Sequence, residues 1–210
     1  MNVTKTQTLG DKVFDQLLER IHYGEFAPGH PLKENILAQQ FGTSRGPIRE
    51  AIRRLQGIQL VSRESFLKAR VARITPETID ELFQMREALE GYACRLAASR
   101  MTKDEIDSVK AEMQSYEIEP NQDTPIEIPD FHYQIVKASR NNRIIETLCG
   151  DLYRLLHIYR NWAGNAVGRR SQANKEHWEI IRAIELRDPD LSESLMRSHI
   201  SRAREILGFK

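Results

Sequence analysis

The sequence predicts a mainly α-helical chain in two parts. Three short helices and a β-hairpin fill residues 1–73, and an antiparallel six-helix bundle fills residues 74–210. Three observations carry this reading. Apolar residues recur at helical spacing almost throughout. The two strand-like stretches lie together, at 60–62 and 66–71. The charge changes sign near Arg73: residues 1–73 hold 12 Lys+Arg against 7 Asp+Glu, and residues 74–210 hold 19 against 23. A basic head on an acidic body points to two domains with different partners, with polyanion attraction belonging to the first.

Val13, Leu17, Leu18 and Ile21 mark the first helix, from about Asp11 to His22. Gly24, Pro28 and Gly29 break it. Ile36, Leu37, Gln40 and Phe41 mark a second, short helix ending at Gly42. Ser44 is placed to cap a third, its hydroxyl accepting from free amides of the next turn. Pro47 sits in that first turn, where a missing N–H costs little. Ile48, Ile52 and Leu55 form the buried stripe, and Gly57 ends the helix. Leu60–Ser62 and Phe66–Val71 then read as two strands around Arg63-Glu64-Ser65.

Thr75-Pro76-Glu77 is a cap, a first-turn proline and an acidic first turn. It opens a long helix with Ile79, Leu82, Phe83, Leu89, Ala93, Leu96 and Ala97 on one side; Tyr92 reads as core. Thr102 caps the next helix, which runs to about Tyr116. Residues 117–124 form a polar loop. Four more helices follow, at 125–139, 142–163, 171–187 and 189–207. Helices without strands give an antiparallel bundle.

Composition narrows the function. With 40% apolar and 29% charged residues, the chain has an ordinary globular balance. No run approaches the roughly 18 apolar residues of a membrane span. The first residues lack the apolar stretch of a secretory signal. Cys94 and Cys149 form neither a disulfide framework nor a CxxC pair, and read as buried thiols of a reducing, cytoplasmic compartment.

The first two turns of the third helix carry the clearest chemistry. Arg45 and Arg49 lie four apart, on one face, opposite Ile48, Ile52 and Leu55. A helix buried on one side with arginines near its N-terminus on the other suits the DNA major groove. Each guanidinium offers a fork matching guanine O6/N7 or a phosphate. Ser44 and the free helix amides are placed to hold a phosphate oxygen. The hairpin reads as a wing, with Arg63 and Lys68 reaching backbone or minor groove. With Lys33 and Pro47, these residues make the candidate DNA-binding set.

The run Glu19-Arg20-Ile21-His22-Tyr23-Gly24-Glu25-Phe26-Ala27-Pro28-Gly29 and the run Leu37-Ala38-Gln39-Gln40-Phe41-Gly42-Thr43-Ser44-Arg45-Gly46-Pro47-Ile48-Arg49-Glu50-Ala51-Ile52-Arg53-Arg54-Leu55 resemble the winged helix-turn-helix of GntR-family bacterial transcription regulators. Glu81-Leu82-Phe83-Gln84-Met85-Arg86-Glu87-Ala88-Leu89-Glu90 and Phe131-His132 resemble the FadR C-terminal-domain (FCD) branch. The resemblance implies a homodimer on a palindromic operator: residues 1–73 bind DNA, and residues 74–210 bind an effector and dimerise. One departure is the wing, where Arg63-Glu64-Ser65-Phe66 lacks the glycine such wings often carry near the tip.

In the second part, His132, His177 and His199 each have aliphatic neighbours one helical turn away, so all three point into the bundle from different helices. His157 has Arg154, Arg160 and Asn161 there, and reads as exposed. Imidazoles in an apolar core need partners. A shared divalent ion supplies them, with zinc or nickel suiting nitrogen better than magnesium. The resemblance implies a site of three histidines and an aspartate. His132, His177 and His199 match its histidines, but the aspartate's position, one turn before the first histidine, is Ile128. Asp130 points roughly 160° away from His132 by the ~100° helical step, unless Pro129 bends the turn and brings Asp130 or Glu127 nearer. Water or an effector carboxylate would then complete the shell.

Arg86 falls on an apolar face and needs an anion, either Glu90 one turn on, a carboxylate of another helix, or an effector. Asn174, one turn before His177, either faces the cavity or is a solvated amide. The sum is a metabolite-responsive DNA-binding regulator, reading as a repressor, with a small carboxylate effector near a metal. Two alternatives stand beside it: a regulator that senses the ion itself, and a helical metal hydrolase. The second needs a general base, and the periodicity places no carboxylate on the inward faces beside the histidines.

Overall fold

The computed structural model describes residues 7–63, 68–73, 75–118, 131–149, 153, 155, 158 and 169–206. Its contacts divide the chain into two compact units, Met1–Ile74 and Thr75–Lys210. Described helix dominates both.

In the first unit, helix α1 (Leu9–His22) begins ahead of its apolar stripe because Thr8 and Asp11 cap it reciprocally. The Asp11 N–H donates to the Thr8 hydroxyl at 3.1 Å, and the Thr8 N–H donates to the Asp11 carboxylate at 2.8 Å. Helix α2 (Glu34–Gln40) buries Leu37 and Ala38, whereas Ile36 is 41% exposed. Gly42, at φ +59°, turns the chain toward helix α3 (Arg45–Gly57). Glycine reaches that left-handed region without a Cβ penalty. Ile48, Ala51, Ile52 and Leu55 of α3 meet Val13, Phe14, Leu17, Leu18 and Ile21 of α1 in the core. Each large aliphatic or aromatic side chain buried there contributes about 1.5–3 kcal/mol. Ser44 takes the N-cap position, but its hydroxyl makes no capping hydrogen bond, contrary to expectation.

Strands β1 (Val61–Ser62) and β2 (Arg70–Val71) pair antiparallel, Val61 opposite Val71. Residues 64 and 65 of the expected turn Arg63-Glu64-Ser65 lie outside the described residues, as do Phe66 and Leu67 of the expected second strand. A third rung, not expected from the sequence, lies beside the hairpin. Leu32 N–H donates to Ala69 O at 2.8 Å and Val71 N–H to His30 O at 3.0 Å. The stretch before α2 is thus tied to β2 and is more than a breaker.

In the second unit, helix α4 (Pro76–Arg100) starts at Thr75, whose hydroxyl accepts from Thr78 N–H at 3.3 Å. Thr102 and Glu105 cap helix α5 (Lys103–Ile118) in the same reciprocal way. Helices α6 (Phe131–Ala138), α7 (Asn142–Thr147), α8 (Arg169–Glu185) and α9 (Pro189–Ile206) follow. The chain is also helical at 153, 155 and 158. The expected onset at Pro125 and the stretch to Ala163 lie largely outside the described residues.

Helix α4 is the central staff, with α6, α8 and α9 packed against it. Helix α9 approaches closely at Gly91, where a Cβ would sit 2.7 Å from the Cγ of Arg197. The inward face of α4 differs from the expected one. Leu89 and Leu96 are only half-buried, and Tyr92, expected in the core, is 46% exposed. Arg86, Glu90 and Cys94 are buried instead. Burial and the nearby carboxylates of Glu90 and Glu193 push the Cys94 thiol up, so it stays protonated. Cys149, read as buried, is only partly so.

Candidate nucleic-acid interface and metal centre

Helix α3 presents Arg45 and Arg49 on the face away from Ile48, Ile52 and Leu55. Their side chains are 59% and 53% exposed, within reach of a duplex. Both bond Glu34, on the first turn of α2: Arg45 Nη2 lies 3.3 Å and Arg49 Nε 2.7 Å from its Oε2. Arg63 Nη2, just past β1, reaches the other oxygen at 3.1 Å. Burial raises the Glu34 carboxyl, but the hydrogen bonds from Arg49, Arg63 and Arg45 outweigh it and hold the group below its ordinary value. Lys33, Ser44 and Lys68 are exposed and Pro47 is half-buried. Arg53, exposed one turn beyond Arg49, lines a cleft of about 280 Å³ with Glu34, Arg49, Gln56 and Arg63. The four-residue spacing of Arg45, Arg49 and Arg53 could have flagged it.

The second unit brings His132 of α6, His177 of α8 and His199 of α9 together, with candidate ligand atoms within 4.8 Å of one another. His177 Nε2 and His132 Nε2 each lie 3.2 Å from His199 Nε2. Two further hydrogen bonds fix the rings. His132 Nδ1 is 2.6 Å from Glu90 Oε2, and His199 Nδ1 is 2.6 Å from Glu176 Oε2. The second oxygen of each carboxylate takes an arginine: Arg86 Nε at 2.6 Å and Arg202 Nη1 at 3.0 Å. Burial pushes the Glu90 carboxyl up, yet Arg86 and His132 bring it down to about 2, so it is ionised. An ionised acceptor at Nδ1 places the N–H there and leaves Nε2 as the lone-pair atom. Phe131 stacks on the His177 ring at 4.1 Å.

Lone pairs 3.2 Å apart repel unless they share a cation. Metal–nitrogen bonds of about 2.0–2.1 Å at a tetrahedral angle put nitrogens about 3.3 Å apart. The donor set therefore fits a divalent ion. His157, Ile128, Glu127, Pro129 and Asp130 lie outside the described residues. Asn174 is half-buried one turn before His177. Of the partners open to Arg86, the structure shows Glu90.

A profile described as "Bacterial regulatory proteins, gntR family" matches residues 9–65, and one described as "FCD domain" matches residues 81–202. The chain belongs to the GntR family, FCD branch. Among curated relatives, the probable D-xylose utilization operon transcriptional repressor of Paenarthrobacter nicotinovorans is 27% identical, over 95% of this chain and 88% of its own. The galactonate operon transcriptional repressor of Escherichia coli is 26% identical, over 98% of this chain and 100% of its own. Escherichia coli McbR/YncC shares the fold at a TM-score of 0.71 and 20% identity, over 96% of this chain and 97% of that one. GntR proteins are DNA-binding transcription regulators rather than enzymes, so this chain is a transcription regulator. Its N-terminal domain implies operator DNA as a partner and its FCD domain a small-molecule effector. Among the described residues, no helix is long and apolar enough to cross a membrane.

Helical spacing placed no carboxylate on the inward faces beside the histidines, and the structure differs. Inward carboxylates do stand beside the histidines, namely Glu90 and Glu176. Each is committed to an Nδ1 and an arginine, and the family membership decides the question. Glu90 was legible as a partner of Arg86 one turn before it, but its bond to His132 on another helix left no trace in the spacing. Glu176 gave no such signal, because it reaches His199 on another helix.

Proposed function

We propose that the protein is a metabolite-responsive repressor that binds a palindromic operator as a homodimer. The exposed Arg45 and Arg49 pair on the first two turns of α3 carries this reading. Those guanidinium groups read guanine edges in the major groove, Ser44, Pro47 and the helix amides meet a phosphate, and Lys33, Arg63 and Lys68 flank the duplex. The repressor sense is supported by the two relatives above, both of them named as transcriptional repressors.

In the FCD domain, His132, His177 and His199 would hold zinc or nickel, with Glu90 and Glu176 orienting two of the rings. Bound there, the ion supplies a Lewis-acidic point for an effector carboxylate. Arg86 acts through Glu90 as a positioning residue, and Asn174 flanks the cavity. Effector shifts the dimer only by its differential affinity for the DNA-competent state.

The test is selection of a randomised duplex library by the purified protein. A two-fold symmetric consensus bound by a dimer supports the reading, and no enrichment refutes it. The histidine cluster also favours a second reading, in which the ion itself is the signal. Zinc or nickel titration that changes operator affinity with no organic ligand present would establish that one.

A further inference from the structure

Glu34 is the feature of the DNA-reading surface that its function leaves unused. It is acidic within a basic patch, yet it is the common partner of Arg45, Arg49 and Arg63, and its side chain is only 17% exposed. An acid on the first turn of a helix is favoured there on its own account. That alone does not explain three guanidinium groups from two different elements gathered on two carboxylate oxygens. The bonding also leaves usable donors. Glu34 takes Nε of Arg49, which leaves its Nη1 and Nη2, and one Nη of Arg45 and of Arg63. The remaining N–H groups are the kind that grip guanine or phosphate in pairs.

We propose that Glu34 is a specificity-determining positioning residue: one carboxylate locks Arg45 and Arg49 of α3 and Arg63 of the hairpin into a fixed donor array, which lowers affinity for arbitrary duplexes and preserves it for the operator. This rests on the reading of Arg45 and Arg49 as base contacts. Without the carboxylate, three adjacent cations are free to follow phosphates, which carry no sequence information. Binding to any duplex then releases more counterions and depends more steeply on salt.

The experiment uses the full-length protein, the duplex it selects from a randomised library, and a scrambled duplex of the same composition. Glu34→Gln keeps size and one acceptor and removes the charge. Glu50→Gln is the control: it makes the same charge change on α3, at an exposed residue outside the cluster. We expect Glu34→Gln to tighten scrambled-duplex binding several-fold, to steepen the salt slope by about one, and to lower the selected-to-scrambled ratio about tenfold or more. Glu50→Gln should leave that ratio within about twofold of wild type. Equal ratios in the two variants would overturn the proposal. If Glu34→Gln does not fold, Glu34→Asp replaces it: the charge remains but the shorter acid no longer spans three arginines. Its ratio should fall while its salt slope holds, and an unchanged ratio would overturn the proposal. If Arg45→Ala and Arg49→Ala leave selected-duplex affinity unaltered, the underlying DNA reading fails instead.

Discussion

Removing the Glu90 carboxylate should destabilise the FCD domain far more than removing the whole charge pair. Glu90 is 0% exposed and Arg86 7% exposed, with 2.6 Å between their bonded atoms. Glu90→Ala takes the carboxylate away from a buried guanidinium, a change that costs about 3–5 kcal/mol. In a domain of this size roughly 3–5 °C of melting temperature follows each kcal/mol, so a drop of about 10–20 °C is expected. The double variant Arg86→Met/Glu90→Leu removes both buried charges together. It leaves the His132 Nδ1–H without its acceptor, about 1–3 kcal/mol. It should therefore melt above Glu90→Ala. The assay is thermal unfolding followed by circular dichroism, on protein dialysed against a chelator so that ion binding does not contribute. A loss of less than about 3 °C in the single variant, under one kcal/mol, would refute the argument. So would a double variant less stable than the single one.

Two further outcomes follow from the same geometry. Titration with zinc or nickel should raise the melting temperature of chelator-treated protein, with about 2.7 kcal/mol gained when free ion exceeds its Kd roughly 100-fold. His199→Ala should abolish that rise, and metal analysis should find the ion in the wild type only. Acid should act through Glu34. Its folded pKa is depressed below the ordinary 4.5, so its contribution is complete above that value and is lost as pH falls through the lower folded one. Glu34→Gln should therefore flatten the acid limb of stability in the N-terminal domain, as measured by melting temperature from pH 6 downward. Equal slopes would count against the cluster.

Much of the fold was legible because local signals agreed with tertiary ones. Thr75-Pro76-Glu77 marked the start of α4, and the alternation of arginines and aliphatics on α3 separated its wet face from its dry one. The three histidines were found by asking which stripe each shares, a question one helix at a time can answer. What stayed hidden is what crosses between elements. The link from Glu34 to Arg63 spans 29 residues and that from Glu90 to His132 spans 42. Neither leaves a periodic trace. Leu89 and Leu96 mislead because aliphatic side chains ordinarily take the interior positions of a helix. The buried face of α4 instead carries an ion pair, tolerable only because each charge there has a partner. The Thr8–Asp11 cap, by contrast, was spelled out at the right spacing, yet the apolar stripe alone set the start of α1.

The most direct test concerns the two arginines of α3. Binding of the selected duplex is measured by fluorescence anisotropy for wild type, Arg45→Ala and Arg49→Ala, with melting curves in parallel. The account predicts that each alanine weakens binding about tenfold or more, with the fold and dimer intact, since a bidentate base contact is worth about 1–3 kcal/mol. Unaltered affinity in both variants would contradict it.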